Sequence, residues 1–155
     1  MPDYIYVGKR EPNDPGSARV QVYKIGYSGG SLVPYHLDPC NRLYDHSPDG
    51  FNWGYGGSGP AQLGLALAFH AMLTDDSSPS ESWCKKVAVR VHQFVKEKLV
   101  AGIKEDRWYL TSREVREVIA AASVEPHISD LLKYDAQLEE FQTALGEGMP
   151  EGEPG

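Results

Sequence analysis

One stretch of the chain gathers most of its chemically capable residues: Asp45-His46-Ser47-Pro48-Asp49-Gly50-Phe51-Asn52-Trp53-Gly54-Tyr55-Gly56-Gly57-Ser58-Gly59-Pro60-Ala61-Gln62. Gly54, Gly56, Gly57 and Gly59 permit positive φ angles and close backbone approach, and Pro60 suits the first position of a following helix. Backbone N–H groups are therefore expected to converge at a helix N-terminus, where unpaired donors and the macrodipole favour an anion or a carbonyl. Trp53 and Tyr55 flank Gly54, so in extended backbone they share a face and could stack a base, sugar or peptide. The other reading of the two rings is core. Asn52, Ser58 and Gln62 could add hydrogen bonds at the rim, with Ser58 alternatively capping the helix. The expected ligand site is Asn52, Trp53, Gly54, Tyr55, Gly56, Gly57, Ser58, Gly59 and Gln62. The competing reading is a tight turn whose glycines let two elements pack.

His46 could act as acid or base with Asp45 or Asp49, since imidazole titrates near neutral pH. Asp45, His46 and Ser47 cannot form a triad, because three consecutive residues do not fold onto one another. The bland alternative is a hydrogen-bonded loop anchor. No lysine followed by Ser or Thr succeeds the last glycine, which argues against a nucleotide-hydrolysing P-loop. Gly54-x-Gly56-x-x-Gly59 has dinucleotide-fingerprint spacing but lacks a surrounding strand-helix-strand unit. His36, Asp38, Cys40 and His46 do not follow zinc-ligand spacing, so neither metal nor cofactor is expected. His70 reads as a satisfied core histidine, and His92 and His127 as ordinary helix-face or loop residues. Lys85, Lys86, Arg90 and Lys96 form a basic helix face expected in solvent.

The elements that must hold this stretch are legible around it. At 155 residues the chain suits a single domain that needs no staple. Tyr4–Val7 and Arg19–Val22 alternate as strands, and Ser28–Ser31 turns into a short edge strand near Leu32 to Tyr35, limited by Pro34 and Pro39. Helix one, about Pro60 to Leu73, is apolar nearly all round and should be buried centrally. Thr74–Ser82 is a polar, disordered-looking connector. Trp83, Val87, Val91, Phe94, Val95 and Leu99 predict a second, amphipathic helix ended by Gly102, and Trp108–Leu110 a short strand or extended segment. Thr111 with Glu114 makes a capping box, after which Val115, Val118, Ile119 and Ala122 face inward. Pro126 breaks the pattern before a last helix, about Ile128 to Leu145. Its seam of Leu131, Tyr134, Leu138, Phe141 and Leu145 could pair with its own domain or with another chain. The prediction is an α+β fold: a small antiparallel sheet on a buried central helix, two further helices and an appended C-terminal helix. One domain spans 1–145, with its core over 4–122, and 146–155 form a disordered tail.

The net charge of −7 disfavours a nonspecific grip on nucleic acid, which depends on many cation–phosphate contacts. Cys40 and Cys84 make no framework pattern and suit a reducing compartment. With no signal-like start and no long apolar run, the expectation is a soluble cytoplasmic protein.

The His46-to-Leu63 stretch, with His92-Gln93-Phe94-Val95-Lys96 and Trp108-Tyr109-Leu110-Thr111 further on, resembles a small domain-of-unknown-function family of bacteria, archaea and mobile elements such as phages and plasmids. The resemblance covers roughly residues 4 to 120. Cys40–Leu43, Ser77–Ser82 and the final helix depart from it. It implies no activity, and its setting suggests a modulator of a host or defence pathway. Three functions stay open: a noncatalytic binding or interaction protein taking a small anionic or nucleotide-like ligand or a partner protein at the glycine loop; a small hydrolase or transferase using His46; and an acidic inhibitor of a host nucleic-acid or defence enzyme.

Overall fold

A computed structural model describes residues 3–25 and 33–148. β1 (Tyr4–Lys9) and β2 (Arg19–Lys24) pair antiparallel across a turn-rich connection, as their alternation requires. β3 (Tyr35–His36) is a two-residue edge against β2, and the turn expected over Ser28–Ser31 lies outside the described residues. Trp108–Leu110 falls within a full strand, β4 (Arg107–Thr111), which pairs antiparallel with β1 and completes the order β3-β2-β1-β4. The fold is α+β, as the sequence predicts.

One sheet face is packed. Tyr6, Val20, Val22, Trp108 and Leu110 turn inward and join a core built on α1 (Ser58–Leu73), whose residues are buried from Gly59 to Ala68. A helix without a polar face has to be enclosed, and α1 is enclosed by the sheet, by α2 (Glu81–Val95) and by α3 (Ser112–Ser123). Gly64 sets the α1–α2 distance, because a Cβ there would lie 2.8 Å from the carbonyl oxygen of His92. The second helix continues beyond Val95 in a wide π turn, Lys96–Val100, closed by Ala101 N–H donating to Lys96 O. α3 starts on the expected capping box, with Thr111 and Glu114 bonded reciprocally.

The chain's last described helix, α4 (Pro126–Gly148), begins on Pro126, a residue suited to a first turn. It runs through Gly146–Gly148, which composition assigned to the tail. Glycine costs a helix only about 1 kcal/mol per residue, too little to stop one already propagating. α4 docks on α2 through a two-pronged pair of Arg90 with Asp135, both N···O distances 2.9 Å, and through Lys86 to Glu139 at 3.3 Å. The basic face of α2 is therefore partly committed to α4 rather than left to solvent. Arg90 also holds the Asp135 carboxyl below its ordinary value. This docking turns the Leu131/Tyr134/Leu138/Phe141/Leu145 seam away from the domain, with Tyr134, Leu138, Phe141 and Leu145 exposed. Among the described residues, no helix is long and apolar enough to cross a membrane.

Candidate functional site

The glycine loop divides into an anchored half and an open half. Trp53 is 1% exposed; its indole N–H donates to Glu105 O at 2.9 Å and its ring meets Trp108 edge-on at 5.4 Å. Arg10 lies over the Trp53 ring and donates to both Trp53 O and Asn52 Oδ1. Asn52 Oδ1 also accepts from Trp53 N–H, so Asn52 organises the loop from within. Gly54 N–H donates to Val100 O at the end of the π turn. Gly54 has φ +88°, and a Cβ on it would lie 2.6 Å from Ile103 O. That positive φ breaks the extended geometry that would have put Trp53 and Tyr55 on one face. Trp53 enters the core, and Tyr55 stays 48% exposed.

Beyond Tyr55 the backbone is exposed at Gly56 and Ser58, half-buried at Gly57 and buried from Gly59. The residue ahead of α1 is Gly57, extended and without any side-chain cap; Ser58 is the first helical residue and not the cap, and Pro60 lies third. Tyr55 explains the glycine at the cap position, since its ring passes 2.4 Å from where a Gly57 Cβ would stand. Gly59 is required by Asn52, whose Cβ lies 2.8 Å from the corresponding point, whereas Gly56 faces open space. Among the described residues, the N–H groups of Gly56, Gly57, Ser58 and Gly59 meet no acceptor.

Gln62 does not reach the rim. It is 0% exposed beneath the 39–47 segment. Its Oε1 accepts from the N–H groups of His46 (2.8 Å) and Ser47 (3.1 Å), and its Nε2 donates to Pro39 O and to Tyr44 O. All four bonding positions of the amide are thus filled by backbone. Asp45 accepts from the Asn41 side chain. For Asp49, which flanks a hollow bounded by Val20 and Leu37, no side-chain bond occurs among the described residues.

A model of the family of unknown function DUF6166 matches residues 6–121. The chain belongs to DUF6166. The match runs from within β1 to within α3, includes the whole glycine loop, and leaves α4 outside. No curated protein and no solved structure matches the chain.

Two histidine centres of this DUF6166 domain were only half visible beforehand. His92, which reads as an ordinary helix-face or loop residue, is buried against His46, with Nε2···Nε2 at 2.8 Å. His92 Nδ1–H donates to Val89 O, so in the neutral ring Nε2 is bare and accepts the proton of His46 Nε2–H. Tyr44 stacks on His46 at 4.3 Å. Burial, with Lys96, lowers both imidazoles below their ordinary value, and the His46 ring adds to the lowering of His92. The signal for this burial was present: His92 falls four residues after Ala88, on the stripe that also carries Val91 and Val95.

His70 is satisfied, as expected, and by two tyrosines. Its Nδ1 meets Tyr6 Oη at 2.8 Å and its Nε2 meets Tyr35 Oη at 2.7 Å. A neutral ring donates to one phenol and accepts from the other, and burial pulls His70 down to about 4. Above pH 6.5 neither the folded nor the unfolded chain protonates this residue. As the pH falls from there to about 4, the unfolded state binds a proton that the folded state refuses, so stability declines and then levels off. The expected loss is on the order of 3 kcal/mol. Urea unfolding across that range, compared with His70→Gln, checks it: the variant should show the shallower pH dependence, and parallel curves would contradict the assignment.

Proposed function

We propose that this chain is a noncatalytic binding protein that takes a small anionic or nucleotide-like ligand at the open half of the glycine loop. The observation that carries this reading is the row of N–H groups from Gly56 to Gly59, without acceptors among the described residues, at the start of a sixteen-residue helix. Such a row favours negative charge. Tyr55 offers a half-exposed ring beside it, and Lys104 Nζ reaches Gly54 O at 3.3 Å, adding a cation to the loop. Binding is favoured over catalysis because His46 spends Nε2 on His92 and Asp45 is engaged by Asn41. The partner-protein side of the reading rests on the exposed seam of α4. Light scattering that returned the monomer mass at every concentration, alone and with candidate partners, would remove it.

The test is a thermal-shift series with inorganic phosphate and nucleoside mono-, di- and triphosphates. A ligand at a hundred times its dissociation constant adds about 2.7 kcal/mol, a rise on the order of 5–10 °C for a chain of this size. Gly56→Asp places a carboxylate in open space, so it should abolish the shift while leaving the unliganded melting temperature within about 2 °C. No shift with any of these compounds, or an equal shift in the variant, defeats the proposal.

A further inference from the structure

The outer face of the sheet is uncovered by any described helix, and it carries a charge arrangement at odds with the rest of the chain. Ile5, Val7 and Lys9 of β1 point to it, as do Arg19, Gln21 and Tyr23 of β2 and Arg107 and Tyr109 of β4. The register puts Lys9 directly opposite Arg19 on one side and Arg107 on the other. Three cations thus form a row across three adjacent strands, about 10 Å long at normal strand spacing. Like charges directly opposite one another destabilise a sheet, and this protein has a net charge of −7.

Among the described residues, no carboxylate pairs with the row. Arg19 donates only to the carbonyls of Gly16 and Ala18, and Lys9 and Arg107 have no hydrogen-bond or ion-pair partner among the described residues. One step along the strands, Val7 lies between Gln21 and Tyr109, and the Tyr109 ring is 72% exposed. A groove of about 370 Å³ runs between Lys9, Arg19, Gln21, Tyr23 and His36, and a second hollow of about 540 Å³ adjoins it beside Tyr109.

The geometry points to this face as a binding surface for single-stranded nucleic acid, with phosphates along the Arg19–Lys9–Arg107 row and bases stacked on Tyr109 and Tyr23. A cation row answers a backbone of repeating negative charge. The exposed Tyr109 ring and the half-buried Tyr23 ring offer flat platforms that unpaired bases can cover and paired bases cannot. The overall negative charge limits the grip to what three cations supply, so the binding is weak and strongly local. The surface is separate from the glycine loop, and the two stand or fall independently.

The experiment is fluorescence anisotropy of labelled oligo(dT) and oligo(U) with the full chain at low ionic strength. Three phosphate contacts on a single strand predict a log–log salt slope of about −2. Tyr109→Ala should weaken binding by between about fivefold and a hundredfold, and Tyr109→Phe should restore it, because stacking needs the ring and not the hydroxyl. Lys9→Glu and Arg107→Glu should each weaken binding and flatten the slope. Far-UV circular dichroism and melting curves confirm that each variant is folded, and Gly56→Asp should bind oligonucleotide like the parent. A preference for oligo(U) over oligo(dT) would assign the face to RNA and the reverse to DNA, either one supporting the inference. Absence of binding, equal affinity for a duplex, or polyglutamate binding as tightly with Tyr109→Ala indifferent would each overturn it, the last assigning the face to an acidic protein.

Discussion

Gln62→Leu should cost at least about 4 kcal/mol of stability, although leucine fills nearly the same volume inside a largely apolar helix. The loss comes from what remains behind. The N–H groups of His46 and Ser47 and the carbonyls of Pro39 and Tyr44 all rely on this one amide. Each backbone group left without a partner against the buried face of α1 costs about 1–3 kcal/mol. Gln62→Glu should be damaging too, since it keeps the two acceptor contacts, removes both donors and buries a carboxylate. Urea denaturation measures the loss, and hydrogen exchange at His46 and Ser47 locates it. A Gln62→Leu protein within about 1 kcal/mol of the parent would show that the amide does not hold this segment down.

Trp53→Ala should lose about 3–5 kcal/mol, the usual range for removing a large aromatic side chain from a core. For a chain of this length that lowers the melting temperature on the order of 10 °C. Glu105 O loses its donor, Trp108 its edge-on neighbour and Arg10 the ring beneath it. Trp53→Phe separates these contributions, because it keeps a ring and removes the indole N–H. It should recover more than half of the loss. Differential scanning calorimetry checks both variants, and an alanine protein melting within about 2 °C of the parent would contradict the burial described here.

The fold was readable where local chemistry decides it. Alternation gave β1 and β2, the Thr111–Glu114 pair marked the start of α3, and the lack of a polar face on α1 demanded burial. The division of the glycine loop was harder to see. Whether Trp53 and Tyr55 share a face depends on the sign of one φ at Gly54, and several glycines close together do not reveal which of them bends the chain. Gln62 could have been read better: a single amide on a helix buried all round has to be bonded internally. His92 likewise stood on an apolar stripe. The cation row could not be read locally, because Lys9 and Arg107 become neighbours only through the β1–β4 pairing, and nothing near either residue announces that pairing.

The wide turn from Lys96 to Val100 fixes a rotational phase between two distant parts of the chain. It holds one more residue than an α-helical turn, so everything after it lags by about 100° round the axis behind where a regular helix would place it. That offset brings the Val100 carbonyl to Gly54 N–H and leads the chain towards Glu105, where the Trp53 indole is held. Deleting one residue here would leave a helix with better hydrogen bonds and a mooring point facing the wrong way. The irregularity in the second helix is what keeps the signature loop in place.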